Sequence, residues 1–578
     1  MTDSRHPGSR GRGAWVLLLA AALLVFIWLT NVVAQWGDRN WVFLSISAAV
    51  LASLALFLWL LALAVPLLYR LAVSLGKSMA PAVAADPEVR RISARYPRFA
   101  GWLGRRLSRG TWRGLYLTVT VLLGGYFFAG FLSIARAVAT SGLITRYDVQ
   151  ISALLRAFRT PQLTRAFWAF TVLGDFRVAW ALAAVTASLL LIWGRKREAV
   201  MLAAAVGGAT LLGEIAKQLF ERPRPDATFA LVRTPSSYSF PSEHALYAVC
   251  FWGVIGFLAV RSTLTKPQKV TAVLFATSAI MGTALSRVYL GVHWASDVAA
   301  SWVLGLGWLS VCIGVYLMWM RYTAPPAEHP TLPLRTRWTI TTLGTLLAAS
   351  ALIWSTQTDP ILGRLVAAPP TRHWDISIDA SGAQAPTPAQ MAQLPRFSEK
   401  PDGTPQEPIG IIFIGSEELL TARFRQAGWA IADPPTPGTL LHAAAAAISN
   451  TPYATAPVTP TFLDGNVQTL AFEKPEGRAT VRRRHHSRWW RTNFVVQGSP
   501  VWVATASFDS RLEIGSAVPL PTHHIDPNID AEQRYVVRDL TRVGLTALAA
   551  VRVSPPATGT DAQGDPWFTQ GMATILVP

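Results

Sequence analysis

Over the first 356 positions the hydrophobic residues come in long, nearly unbroken runs, without the alternation of strands or the stripe of a surface helix. A helix needs about 20 apolar residues to cross the hydrocarbon core of a bilayer. Nine runs approach that length, at roughly 14–35, 41–68, 114–135, 177–194, 198–217, 245–260, 270–288, 294–319 and 337–355, and each is predicted to be a spanning helix. The first reads as a retained anchor: it outruns a signal-peptide core, no Ala-x-Ala site follows, and another run comes at once. After residue 357 the pattern changes. Residues 357–408 are rich in Pro, Ala and Gln with little periodicity, as in a linker. Short runs such as Ile411–Ile414, Val467–Phe472, Phe494–Val496 and Val501–Ala506 predict strands, and the stretches Glu417–Ala427 and Glu532–Ala549 predict helices. The expected fold class is an all-α polytopic membrane helix bundle of about nine spans with an exported, soluble α+β domain. Its expected divisions are a two-span region with a basic loop (1–113), a core (114–320), a ninth span (321–356), the linker (357–408) and the exported domain (409–578).

Composition agrees with that reading. Half of the chain (51%) is hydrophobic and only 15% is charged, against about 25% in soluble domains, which excludes a disordered, collagen-like or purely soluble protein. Cys250 and Cys312, the two cysteines, lie in apolar runs and point to neither a disulfide framework nor a metal site. The net charge of +19 is uneven: residues 1–356 hold 34 Lys/Arg against 13 Asp/Glu, and the remainder 18 against 20. The basic excess sits in short loops between apolar runs, so it reports topology, and no nucleic-acid partner is expected. Alternate loops are basic: Arg5, Arg10 and Arg12; ten basic residues between Arg70 and Arg113; Arg195–Arg197; Arg261, Lys266 and Lys269; and Arg321, Arg335 and Arg337. These belong in the cytoplasm, which puts the N-terminus inside and the C-terminal domain outside a cytoplasmic (inner) membrane. Residues 136–177 hold six arginines yet fall outside, and are expected to include an amphipathic helix lying on the outer surface.

Ionisable groups at membrane depth are costly and mark function. Three polar clusters fall at outer span ends: Lys217 to Arg224-Pro225, Pro241-Ser242-Glu243-His244, and Ser286-Arg287 through His293 to Asp297. Lys217, Arg224 and Arg287 offer positive charge and guanidinium forks to phosphoryl oxygens. Ser242 and the amides at the start of the sixth span add donors. His293 and Asp297, four residues apart, share a helix face, so the carboxylate can orient the imidazole and leave one ring nitrogen as a nucleophile. His244 suits a general acid. Taken singly, Lys217 could snorkel, Ser242 could be an N-cap and the His–Asp pair a structural bond; together they describe metal-free phosphoryl transfer through a phosphohistidine.

These clusters resemble the K-x6-RP, PS-x-H and SR-x5-H-x3-D signature of the type 2 phosphatidic acid phosphatase superfamily, which also includes vanadium haloperoxidases. The match spans roughly residues 114–320. The resemblance implies Lys217, Arg224, Arg287 and Ser242 as phosphate ligands, with the Glu243 amide beside them, His244 as acid, His293 as nucleophile and Asp297 as its partner, with no cofactor or metal. Glu243 stands where the family usually has Gly, placing a carboxylate beside the anion site. Residues 409–578 resemble an LssY-type domain, on Arg482–Trp490 and Thr522–Asp530. Its histidine doublets, with Asp509, Asp526 and Asp530, suit a metal, an anionic headgroup or simply a hydrogen-bonded surface, and Arg482–Arg484 with Trp489 and Trp490 suit docking on headgroups.

The function expected is hydrolysis of a lipid phosphate or diphosphate at the outer face, with undecaprenyl diphosphate, phosphatidylglycerol phosphate and phosphatidate as candidate substrates entering from the bilayer. The alternatives are a lipid phosphotransferase, a vanadate-type haloperoxidase and a non-catalytic lipid-binding or transport protein.

Overall fold

The computed structural model describes residues 85–108, 114–323, 332–357 and 388–578, short breaks aside, and residues 372–374. The first two predicted spans and most of the linker lie outside the described residues. The chain divides into two compact units, one of residues 1–140 and 159–365, the other of residues 141–158 and 366–578.

The first unit is helical. Two short helices, α1 (Pro87–Arg95) and α2 (Pro97–Leu107), occupy the basic loop and bury no residue. Asp86 opens α1 by accepting from the amides of Glu88 and Val89. The helix α3 (Leu115–Ala139) follows in this unit, while α4 (Leu143–Ala157) belongs to the other. Then come α5 (Pro161–Val172), α6 (Phe176–Ile192), α7 (Lys196–Phe220), α8 (Glu243–Arg261), α9 (Lys266–Tyr289), α10 (Ala295–Tyr322) and α11 (Leu334–Gln357). Among the described residues five helices (α3, α7, α8, α9 and α10) are long and apolar enough to cross a membrane, and α5 with α6 makes a sixth span bent by 50°. Tyr126 and Leu122 of α3 are 74% and 66% exposed, as lipid-facing side chains are.

The helix α8 packs against α7, α9 and α10, so its first turn is the point where the bundle can gather groups from several helices. Gly174, at the α5–α6 bend, permits this: a Cβ there would stand 2.7 Å from the His244 carbonyl oxygen and 2.4 Å from Thr283 Cγ2. Phe240, fully buried, packs between Phe131 of α3 and Phe220 of α7, with ring centroids 5.7 and 5.2 Å away, and anchors the segment that enters α8.

The second unit is an α+β fold. Its strands are β1 (Arg372–Trp374), β2 (Phe397–Glu399), β3 (Pro405–Pro408), β4 (Ile411–Ile414), β5 (Ala430–Ile431), β6 (Phe462–Leu463), β7 (Asn466–Val467), β8 (Leu470–Pro475), β9 (Arg484–Val496), β10 (Ser499–Ile514), β11 (Pro521–Ile525), β12 (Thr546–Arg552), β13 (Ala557–Thr560), β14 (Pro566–Thr569) and β15 (Met572–Val577). The main sheet runs β12-β15-β4-β10-β9-β8-β5, with β1 paired to β9 and β11 to β10. The long β9–β10 hairpin turns at Gln497-Gly498, both at positive φ, the backbone that a tight hairpin needs. Side chains alternate between two apolar layers. Ile412, Trp490, Val503 and Ile575 face one side; Phe413, Trp489 and Trp502 face the other, with Phe424 of α12 (Glu417–Gln426) and Val536 of α14 (Ile529–Arg542). Between these helices lies α13 (Pro437–Ser449).

The helix α4 is the arginine-bearing segment expected on the outer membrane surface. It packs within this unit: Gln150 Nε2 donates to Glu399 Oε2 at 2.6 Å and Arg156 Nη2 to the Gly465 carbonyl at 2.7 Å. Its buried face carries Asp148, Gln150 and Ser152, while Tyr147, Val149 and Ile151 are exposed.

Candidate active site

The three clusters converge at one end of the helical unit. Lys217 lies in the last turn of α7, which Glu221 ends in a left-handed conformation (φ 44°). The residue is 2% exposed, and its ammonium sits 2.8 Å from Glu243 Oε2 and donates to Ser237 Oγ at 3.3 Å. Arg224, just beyond, is locked by the carbonyls of Ser237 (2.8 Å from Nε) and Val292 (2.8 Å from Nη1). Its Nη1 is also 3.0 Å from His293 Nε2. Arg287, in the last turn of α9, is 4% exposed and donates from Nη1 to Thr171 Oγ1 at 2.6 Å.

His293 lies in the turn between α9 and α10. Gly291 makes that turn possible with φ +77°, and Arg159 staples it by donating to the carbonyls of Tyr289 and Phe229. A guanidinium is only a donor, so the Arg224 contact assigns the Nε2 lone pair as acceptor and places the ring proton on Nδ1. Burial, then the charges of Arg224, Arg287 and Lys217, hold His293 well below the usual imidazole range. The ring is therefore neutral, with a lone pair turned toward the cations.

The His293–Asp297 pair arises differently from the helix-face geometry expected. His293 precedes α10, and Asp297 occupies its first turn, accepting from the Trp294 amide at 2.9 Å. Asp297 Oδ2 is 3.4 Å from Nδ1, a long contact, and takes a 2.5 Å bond from Ser239 Oγ, while Oδ1 takes one of 2.5 Å from Arg222 Nη1. Ser239 Oγ itself lies 3.4 Å from Nδ1. Arg222, Ser237, Ser239 and Thr171 are thus parts of the site that the sequence reading missed. Only Arg222 carried a signal, by standing inside the Lys217–Pro225 cluster.

Ser242 is the N-cap of α8 with no side-chain cap bond; its Oγ is buried and unpartnered, as is Arg287 Nε. Buried donors left open next to cations suit an anion. His244, in the first turn of α8, is half-buried.

Among the described residues the C-terminal histidines do not gather. His485 and His486 are neighbours on β9 and point to opposite sheet faces: His485 Nδ1 lies 2.9 Å from Glu532, and His486 Nε2 is 2.6 Å from Ser507 Oγ. His524 pairs with Asp565. Among the described residues no three His, Cys, Asp or Glu side chains converge as ligands. Trp489 and Trp490 are core residues, 0% and 2% exposed, so they are not free to dock on headgroups.

A bundle with helices of membrane length, holding an imidazole among guanidiniums at one helix end, defines a multi-pass membrane protein. Comparison supplies the family. Residues 198–322 match the PAP2 superfamily and residues 391–573 the LssY C-terminus. Over 181 residues the chain is 31% identical to phosphatidylglycerophosphatase B of Bacillus subtilis, covering 31% of this chain and 87% of that protein. Over 130 residues it is 36% identical to an undecaprenyl-diphosphatase of Sulfolobus acidocaldarius, covering 22% and 58%. The crystal structure of a transmembrane PAP2-type phosphatidylglycerolphosphate phosphatase from Bacillus subtilis aligns at 30% identity over 35% of this chain and 98% of that one, with a TM-score of 0.32. The chain belongs to the PAP2 superfamily of phosphatases, extended by an LssY C-terminal region.

Proposed function

We propose that this protein hydrolyses a lipid phosphate or diphosphate at the membrane interface through a phosphohistidine. Lys217, Arg224, Arg287, Ser242 and the first amides of α8 hold the phosphoryl oxygens. His293 Nε2 attacks phosphorus; the N–P bond forms as the bond to the leaving oxygen breaks, and His244 protonates that oxygen. Water then attacks, His244 takes its proton, and the N–P bond breaks to release phosphate. Asp297 steadies the imidazole through Nδ1. The observation that carries this reading is His293 Nε2 3.0 Å from Arg224 Nη1, beside buried, unpartnered donors. The relatives named phosphatidylglycerophosphatase and undecaprenyl-diphosphatase support a phosphorylated membrane lipid as substrate, such as phosphatidylglycerol phosphate, undecaprenyl diphosphate or phosphatidate.

The positive-inside reading puts this site and the C-terminal region on the extracytoplasmic side of a cytoplasmic membrane. Residues 141–158 and 366–578 fold as one unit, so the chain between them crosses an even number of times. The α5–α6 pair and α7 to α10 give five crossings, and the ninth run predicted from the sequence, at 337–355, would be the sixth.

Replacing His293 with Ala tests the chemistry. Lipid phosphate release in detergent should fall on the order of 10³-fold or more; unchanged turnover would end the proposal. The pH profile is a second check. The nucleophile works when neutral, and its folded-state pKa is depressed, so its acid limb moves to lower pH. The kcat/KM contribution of His293 should persist as pH falls through about 6.5, where an ordinary imidazole would be lost.

A further inference from the structure

Glu243 opens α8 between Ser242 and His244, and its carboxylate lies where an oxyanion would be expected to lie, 2.8 Å from Lys217 Nζ. The side chain is 21% exposed and keeps a route to the opening. Behind it stands Glu214, one turn before Lys217 on α7, a second carboxyl within electrostatic reach of both Glu243 and Lys217. The neighbouring Gly213 leaves the space: a Cβ there would meet Glu243 Cγ at 3.6 Å and Leu246 Cδ2 at 3.3 Å.

We propose that Glu243, backed by Glu214, is a specificity residue that occupies Lys217 in the resting site and selects phosphate monoesters over diphosphates. The inference rests on the phosphatase reading above. Substrate binding exchanges one anion for another on Lys217. The displaced carboxylate stays beside the bound phosphoryl group, facing whatever that group carries. Hydroxyl or ammonium groups of a headgroup donate hydrogen bonds to it. A second phosphate brings further negative charge against it, and like charges at such distances cost enough to change selectivity by an order of magnitude.

The test uses the full-length protein in detergent micelles, with a phosphatidylglycerol phosphate and an isoprenyl diphosphate as probes. The Glu243→Gln variant should raise the diphosphate-to-monoester ratio of kcat/KM about tenfold, and inorganic phosphate should inhibit it at about tenfold lower concentration. Glu214→Gln should move both in the same direction by less. A ratio and an inhibition constant unchanged in Glu243→Gln would overturn the proposal, as would a ratio that shifts toward the monoester. His293→Ala, run in parallel, separates the two readings. Full turnover in that variant removes the phosphohistidine, whereas abolished turnover with an unmoved Glu243→Gln ratio removes only the selectivity role. Phosphate binding to the His293→Ala protein, followed calorimetrically with and without Glu243→Gln, reports the exchange on Lys217 with no chemistry involved.

Discussion

Each of the two units buries a cluster of arginines, carboxylates and a histidine, and the two clusters differ in how their charges close. In the C-terminal unit Arg488 Nη1 contacts both oxygens of Glu407 at 3.2 and 3.1 Å, and Ser507 Oγ donates to the same carboxylate at 3.0 Å. Arg484 lies between Glu473 Oε1 at 2.5 Å and Asp509 Oδ2 at 3.0 Å. Burial pushes Glu473 up to about 8 in spite of Arg484, so it holds a proton at neutral pH. Burial also pushes Glu407 upward, but Arg488, His486 and nearby hydroxyls outweigh it and hold that carboxylate below its ordinary value. Two guanidiniums then face two carboxylates, and the charges balance. In the helical unit Glu243 pairs with Lys217 and Asp297 with Arg222, while carbonyls and hydroxyls hold Arg224 and Arg287, and Ser242 Oγ and Arg287 Nε are unpartnered. A buried surplus of positive charge is costly unless an anion arrives. A closed network stabilises a fold; an open one has room for a substrate.

The largest effects should come from disturbing the open set. Arg224→Lys keeps the charge and loses the fork that reaches two carbonyls and His293 together. It should lower kcat/KM for lipid phosphate by roughly 10²–10³-fold with the protein still folded, as steady-state kinetics and thermal melting would show. A loss under tenfold would mean that charge alone suffices. The closed set should respond in stability. Arg488→Ala leaves Glu407 buried without its cation, and the melting transition of the C-terminal unit should lose about 3–5 kcal/mol. Should that transition stay put while hydrolysis falls, Arg488 would belong with the substrate-handling residues, and the contrast between the units would fail.

How much of this could be read from the sequence depended on the kind of signal. Long apolar runs located α3 and α6 to α11 within a few residues, because twenty apolar residues in a row have few other uses. The α5 half of the bent span was missed: Arg165 and Thr171 interrupt its run, and Gly174-Asp175 break it. The polar residues at span ends stood out against their apolar surroundings, so Lys217, Arg224, His244, Arg287, His293 and Asp297 were all visible. Ser237 and Ser239 lie in an irregular segment where serine is unremarkable, and only the fold places Ser239 on Asp297. Strand alternation hid the roles of Trp489 and Trp490: adjacent tryptophans on a strand face opposite layers, and when both layers are covered both are core.

The smallest effect expected concerns Ser239, a positioning residue that joins the two halves of the open set. Its hydroxyl takes up Asp297 Oδ2 at 2.5 Å and leaves the His293 Nδ1 contact at 3.4 Å. Asp297 keeps its Arg222 and Trp294 bonds without it, so Ser239→Ala should lower kcat only about three- to tenfold. The pH profile separates positioning from packing. With the hydroxyl gone, Oδ2 is free to accept from Nδ1–H, the imidazolium is better stabilised, and the His293 pKa rises. The acid limb of kcat/KM should therefore move toward neutrality in Ser239→Ala. A slower enzyme with an unmoved limb would show that Ser239 only fills space, and that Asp297 reaches the imidazole by another route.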